Sequence, residues 1–311
     1  MIDYTALIEQ SPCYKRLMSD ISAGAVSHAY MLCGEDVIAA EGVAALFAQK
    51  LARRSDIIYV PFEADAAKVK TEDINTLAAD CYLKPYDGDY KIYIIKNAHT
   101  MTDQAQNKLL KTLEEPPSGV IIILCAANPA GLLNTIHSRS RKIAVPPFTP
   151  DALYRHFTQN GVGTEEANLA SVYGGGSITA AERILSDARY PAALSLIFDM
   201  FSGMKRSPDI LAYAARFAQY KDIAQDILDF MLIAARDIAA ASLDKRELIF
   251  TKRRADDIIA LTADYSAEAC AAVIDKIGYA KKRLYYNCNY QGVIDELLFS
   301  VTEIKNLYAA S

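Results

Sequence analysis

Asn107-Lys-Leu-Leu-Lys-Thr-Leu-Glu-Glu-Pro-Pro117 lies between two short apolar runs, Lys91-Ile-Tyr-Ile-Ile95 and Val120-Ile-Ile-Ile-Leu-Cys125. Both runs are rich in β-branched residues, so each reads as a buried strand. The stretch between them reads as a helix. Thr100 or Thr102 can cap it, and Thr100 with Asp103 three residues on has capping-box spacing. Ala105, Leu109, Leu110 and Leu113 recur at helical spacing, and Pro116-Pro117 end the helix because proline cannot continue the backbone hydrogen-bond ladder. Strand, helix and strand within about 35 residues make a right-handed parallel crossover, the unit of an α/β domain.

A chain of 311 residues is expected to hold two or three domains, each with its own core. No apolar run approaches the length of a membrane span. The start, Met1-Ile-Asp-Tyr-Thr, lacks the basic and apolar regions of a signal peptide, so a cytoplasmic location is expected. The six cysteines are scattered with no Cys-x-x-Cys, which argues against a thiolate zinc cluster and a disulfide framework. Cys33 and Cys125 read as small buried hydrophobes. The net charge of −5 speaks against a protein that grips DNA alone. Arg53-Arg54, Lys252-Arg253-Arg254 and Lys281-Lys282-Arg283 are the tight basic clusters, and each reads as a solvated helix end.

The run from Met101 to Pro117, followed by Thr135-Ile-His-Ser-Arg-Ser140, resembles the ATPase domain of the clamp-loader subunits of bacterial DNA polymerase III. Leu-Leu-Lys-Thr-Leu-Glu-Glu-Pro-Pro carries most of the resemblance; Ser-Arg-Ser departs from the family's Ser-Arg-Cys by a nearly isosteric exchange. The resemblance is sharpest over residues 27 to 147. It implies an AAA+ type order, α/β and then all-α: an α/β domain at 1–147, a three-helix lid at 148–190 and a helical collar at 191–311. A break falls at Pro146-Pro147-Phe-Thr-Pro150, a Thr149 cap opens the lid, and Gly174-Gly-Gly176 precedes its third helix. The Asn287 to Asn289 turn and the following acidic, leucine-rich helix resemble the end of the family's collar.

In the family, the strand corresponding to Ser27 to Cys33 feeds a phosphate loop, Gly-x-x-x-x-Gly-Lys-Ser/Thr. Backbone N–H groups there face phosphates, a lysine reaches the β/γ oxygens and a hydroxyl holds Mg²⁺. From Gly34 this chain has Ala39 for the second glycine, Ala40 for the lysine and Glu41 for the hydroxyl. Glu35, Asp36 and Glu41 add carboxylates that repel a phosphate. Active relatives end the strand corresponding to Lys91–Ile95 with an Asp for Mg²⁺ and a Glu that positions water. Here Lys96 and Asn97 stand in those positions, and His99 reads as a structural residue. Two motifs far apart in sequence have lost the same chemistry, so neither nucleotide nor metal is expected as a cofactor.

The resemblance assigns Arg139, with Ser138 beside it, the part of an arginine finger that enters a neighbouring subunit's ATP site. A guanidinium there stabilises charge developing on the γ-phosphoryl group. Arg141 is the candidate for a structural ion pair within its own domain. The partners implied are the gamma/tau-like ATPase and delta subunits, with the sliding clamp and primed DNA reached through the complex. Two rival readings are an ATP-hydrolysing motor subunit with unorthodox motifs and a DNA-binding module acting alone.

Overall fold

Five parallel strands form one sheet in the order β2-β3-β4-β1-β5: β1 Ala29–Cys33, β2 Ile57–Val60, β3 Lys91–Ile95, β4 Val120–Ala126 and β5 Arg141–Ala144. Strands β1, β3 and β4 are buried along their whole length, as strands covered on both faces must be. Alternation sends Ala29, Met31, Tyr93, Ile95, Ile122 and Leu124 into one core layer. That layer includes residues of helices α4 (Thr71–Asp80) and α5 (Asp103–Glu114). On the other face Tyr30 meets Phe47 edge-on, with ring centroids 5.1 Å apart. Phe47 belongs to α3 (Val37–Leu51), which follows β1; α1 (Thr5–Glu9) and α2 (Pro12–Ser22) precede it.

This computed structural model describes residues 2–63, 66 and 68–309, and the chain divides into two compact units, Met1–Arg183 and Ile184–Ser311. In the first unit, α6 (Asn134–His137) leads into β5, and α7 (Pro150–Gln159), α8 (Thr164–Tyr173) and α9 (Ile178–Ser186) follow the sheet. Thr149 caps α7 by accepting from Ala152 N. The second unit is all-helical: α10 Arg189–Gly203, α11 Ser207–Phe217, α12 Ala224–Ser242, α13 Ala255–Leu261, α14 Ala267–Tyr285 and α15 Tyr290–Ala309. Ile227, Phe230, Met231 and Ala234 bury the stripe of α12. Among the described residues no helix is long and apolar enough to cross a membrane. The α/β and then all-α order is as expected from the sequence.

The structure settles local detail at three places. Of the two candidate caps of α5, Thr102 takes the part, its hydroxyl accepting from Ala105 N. Thr100 instead donates to Asn97 O and accepts from Val69 N, tying two loops together. Thr71 is the first residue of α4, and Asp73 accepts from Lys70 N at 2.8 Å. Ser207-Pro208 opens α11 after the break that follows Gly203, and proline is tolerated in a first turn whose N–H groups have no intrahelical partner.

One buried polar side chain binds the deciding helix to the loop beyond β4. Gln106, 1 % exposed, donates to Met101 O and Gly131 O and accepts from Leu133 N at 2.7 Å. Gln106→Leu removes all three bonds and leaves their backbone partners dry. The expected loss is about 2–4 kcal/mol of stability, read as a lower urea midpoint for the first unit and faster hydrogen exchange at Leu133 N. An unchanged midpoint would show that water replaces the amide.

Candidate functional site

The turn after β1 is held open by its own backbone neighbours. Gly34 N donates to Ala126 O, and a Cβ on Gly34 would meet Val145 O at 2.5 Å. The glycine is therefore required by the passing chain. Asp36 caps α3, accepting from Ala39 N at 3.2 Å, as an aspartate ahead of an apolar helix commonly does. The same carboxylate also accepts from Ile178 N at 2.6 Å, Thr179 N at 3.3 Å and the Thr179 hydroxyl at 2.7 Å. Thr179 Oγ1 in turn accepts from Ile38 N. One buried carboxylate thus sits at the N-termini of both α3 and α9, where helix dipoles and free N–H groups attract an anion.

Ala39 and Ala40 are buried, at 1 % and 2 % exposure, so the position assigned to the lysine lies in packed interior. Cys125 Sγ lies 3.8 Å from Ala40 O, and burial pushes its thiol well above the ordinary range, reinforced by the charge of Glu41. Glu41 itself pairs with Lys96 at 2.8 Å. The ammonium also lies 5.3 Å from the Tyr59 ring centroid. Glu41 and Lys96, which the resemblance aligned with a Mg²⁺ hydroxyl and a Mg²⁺ carboxylate, thus meet as a direct ion pair. Asn97 adopts a left-handed backbone conformation, φ 46°, that asparagine tolerates better than most residues. Its carbonyl accepts from Thr100 N and Oγ1, which builds the turn after β3. His99 belongs to that turn, and its Nδ1 is buried with no partner among the described residues. Asn128 accepts from Ala130 N and forms a turn.

Lys96→Met leaves Glu41 without its cation. Both side chains keep some solvent, at 33 % and 22 % exposure, so the pair is screened. We expect a double-mutant cycle of Lys96→Met with Glu41→Gln to give a coupling of about 1 kcal/mol in thermal unfolding. A coupling near zero would make the contact incidental.

Arg139 lies at the opposite end of the sheet. It precedes β5, whose Arg141 pairs in register with Tyr30 while Ala144 pairs with Cys33. The four residues of β5, about 13 Å at 3.3 Å per residue, therefore lie between Arg139 and the level of the turn at Gly34. Arg139 cannot reach the turn at Gly34 of its own chain, and β5 is an edge strand of the sheet. Its Nη1 donates to Thr135 O and Ser138 Oγ, and its Nη2 pairs with Glu114 at 2.8 Å. Ser138 also donates to Thr135 O. The Arg139 side chain is 34 % exposed. Arg141 pairs with buried Asp20, which also accepts from Tyr30 OH, and so takes the structural part.

The structure thus brings Glu41 to Lys96 and Ser138 to Arg139, and keeps the two groups apart. Sequence reasoning counted Asp36 as a carboxylate repelling a phosphate. Its cap position was readable, but its bonds to Ile178 and Thr179 join residues more than 140 positions apart. Glu114 was read only as part of a motif, with no signal of its partner.

A family model described as DNA polymerase III, delta subunit, matches residues 52–149. The delta' subunit of Bacillus subtilis (strain 168) is 24% identical over 245 residues, covering 78% of this chain and 74% of that one. The chain is similar to clamp-loader subunits of DNA polymerase III. The gamma subunit of Buchnera aphidicola subsp. Schizaphis graminum is 23% identical over 357 residues, 97% of this chain and 96% of that one. Among solved structures, a gamma subunit-related protein from Thermotoga maritima superposes with a TM-score of 0.46 at 18% identity, covering 97% and 98% of the two chains. Clamp-loader relatives of both the delta' and gamma kinds are matched, so the kind of subunit is argued from the site.

Proposed function

We propose that this chain is a delta-prime-like stator of the clamp loader, a subunit with no ATP site of its own. The observation that carries the reading is the Asp36 carboxylate at the N-termini of α3 and α9. A phosphate entering there must displace it and approach Glu41 without a lysine to offset the repulsion. The Lys96–Glu41 pair supports the same reading at the Mg²⁺ position. In this proposal residues 1–147 are a pseudo-ATPase domain, 148–190 a lid and 191–311 a collar. Arg139, with Ser138 beside it, is lent to the ATP site of a neighbouring gamma/tau-like subunit. The collar holds this chain with that subunit and with delta, and the assembly loads a ring-shaped sliding clamp onto primed DNA.

The gamma relative aligned over 97% of the chain favours the second reading, a motor subunit that binds its own ATP. Calorimetric titration of MgATP into the isolated chain separates the two. The proposal expects no heat of binding, and a micromolar dissociation constant would sink it.

A further inference from the structure

We propose that Glu114 is the positioning residue for the Arg139 guanidinium, an inference that rests on the in-trans reading of Arg139. A long arginine side chain brings charge to a phosphate usefully only when its planar fork is held in one orientation. Both Nη1 hydrogens have acceptors, Thr135 O and Ser138 Oγ, and one Nη2 hydrogen goes to Glu114. The Nε–H and the second Nη2–H have no partner among the described residues, so two donors remain for an incoming phosphate oxygen.

Glu114 is the last residue of α5, where unpaired carbonyls make a carboxylate unfavourable without a cation nearby. Arg139 supplies that cation across the gap between α5 and the turn before β5. The pair is solvent-exposed, at 48 % for Glu114 and 34 % for Arg139, so its attraction is screened. It biases the rotamer of the guanidinium without holding it against a more highly charged triphosphate.

The test is steady-state MgATP hydrolysis by the reconstituted loader, with its other nucleotide sites silenced and assembly checked by gel filtration. Glu114→Gln and Glu114→Ala are expected to lower kcat three- to fivefold with KM unchanged, because the oriented guanidinium acts in the transition state. Glu114→Asp is expected to recover part of the rate. In an Arg139→Ala background, Glu114→Ala is expected to cost nothing further. A fall of equal size in both backgrounds would overturn the inference, since Glu114 would then act without Arg139. So would an unchanged rate or a faster one, the latter making the carboxylate a restraint on the guanidinium. If Arg139→Ala itself leaves hydrolysis unchanged, the in-trans reading fails and takes this inference with it. If Arg139→Ala slows hydrolysis and Glu114→Ala does not, only the positioning role is lost.

Discussion

Arg139→Ala is expected to slow ATP hydrolysis by roughly 10³-fold or more at the one site in the assembled loader that depends on it. A guanidinium at a developing γ-phosphoryl charge acts in a site from which water is excluded, so its removal is far costlier there than at a wet surface. In the isolated chain the same substitution breaks an exposed pair with Glu114 and two exposed hydrogen bonds, to Thr135 O and Ser138 Oγ, whose partners stay open to water, at a cost of about 1 kcal/mol. The variant should therefore fold and assemble normally, which gel filtration checks before kinetics are measured. Arg139→Lys keeps the charge and loses the fork, and is expected to recover only part of the rate. Hydrolysis that does not change in an intact complex would make Arg139 a surface ion pair and the chain a passive scaffold.

Asp36→Ala should strongly destabilise the first unit. It removes the cap of α3 and the acceptor for Ile178 N, Thr179 N and the Thr179 hydroxyl at once. Each lost cap costs about 1 kcal/mol, and dry donors add to this, so a total of about 3–4 kcal/mol is expected. The measurements are thermal unfolding and hydrogen exchange at Ala39, Ile178 and Thr179. With the carboxylate gone, two helix N-termini face an unfilled pocket of N–H groups. Inorganic phosphate is then expected to raise the melting temperature of Asp36→Ala and leave the wild-type chain unchanged. A wild-type chain stabilised equally by phosphate would mean that the anion binds elsewhere or displaces Asp36 with ease, and the proposal of a filled site would fall.

Much of this was legible in the order of the residues. Short continuous apolar runs and the proline stop at Pro116 marked β3, α5 and β4 because burial on a sheet and loss of a backbone donor are local matters. The absence of a lysine at Ala40 and of an acid at Lys96 was readable one position at a time. What replaced them was not. The α5 cap fell to Thr102 because Thr100 was already engaged with Asn97 and Val69, a competition that spacing cannot resolve.

The sequence by itself determined the parallel sheet and the helical remainder, and it puts Ala40 and Lys96 where the resemblance expects a lysine and an acid, since each depends on residue type and near-neighbour spacing. Only the tertiary structure decided that Asp36 serves two helices, that Glu41 and Lys96 neutralise one another, and that Glu114 holds Arg139. It also set Arg139 at the end of the sheet away from the turn at Gly34. Those contacts join residues 25 to 143 positions apart. Hydrogen bonds and ion pairs act over a few ångströms of space, whatever the length of chain between the partners.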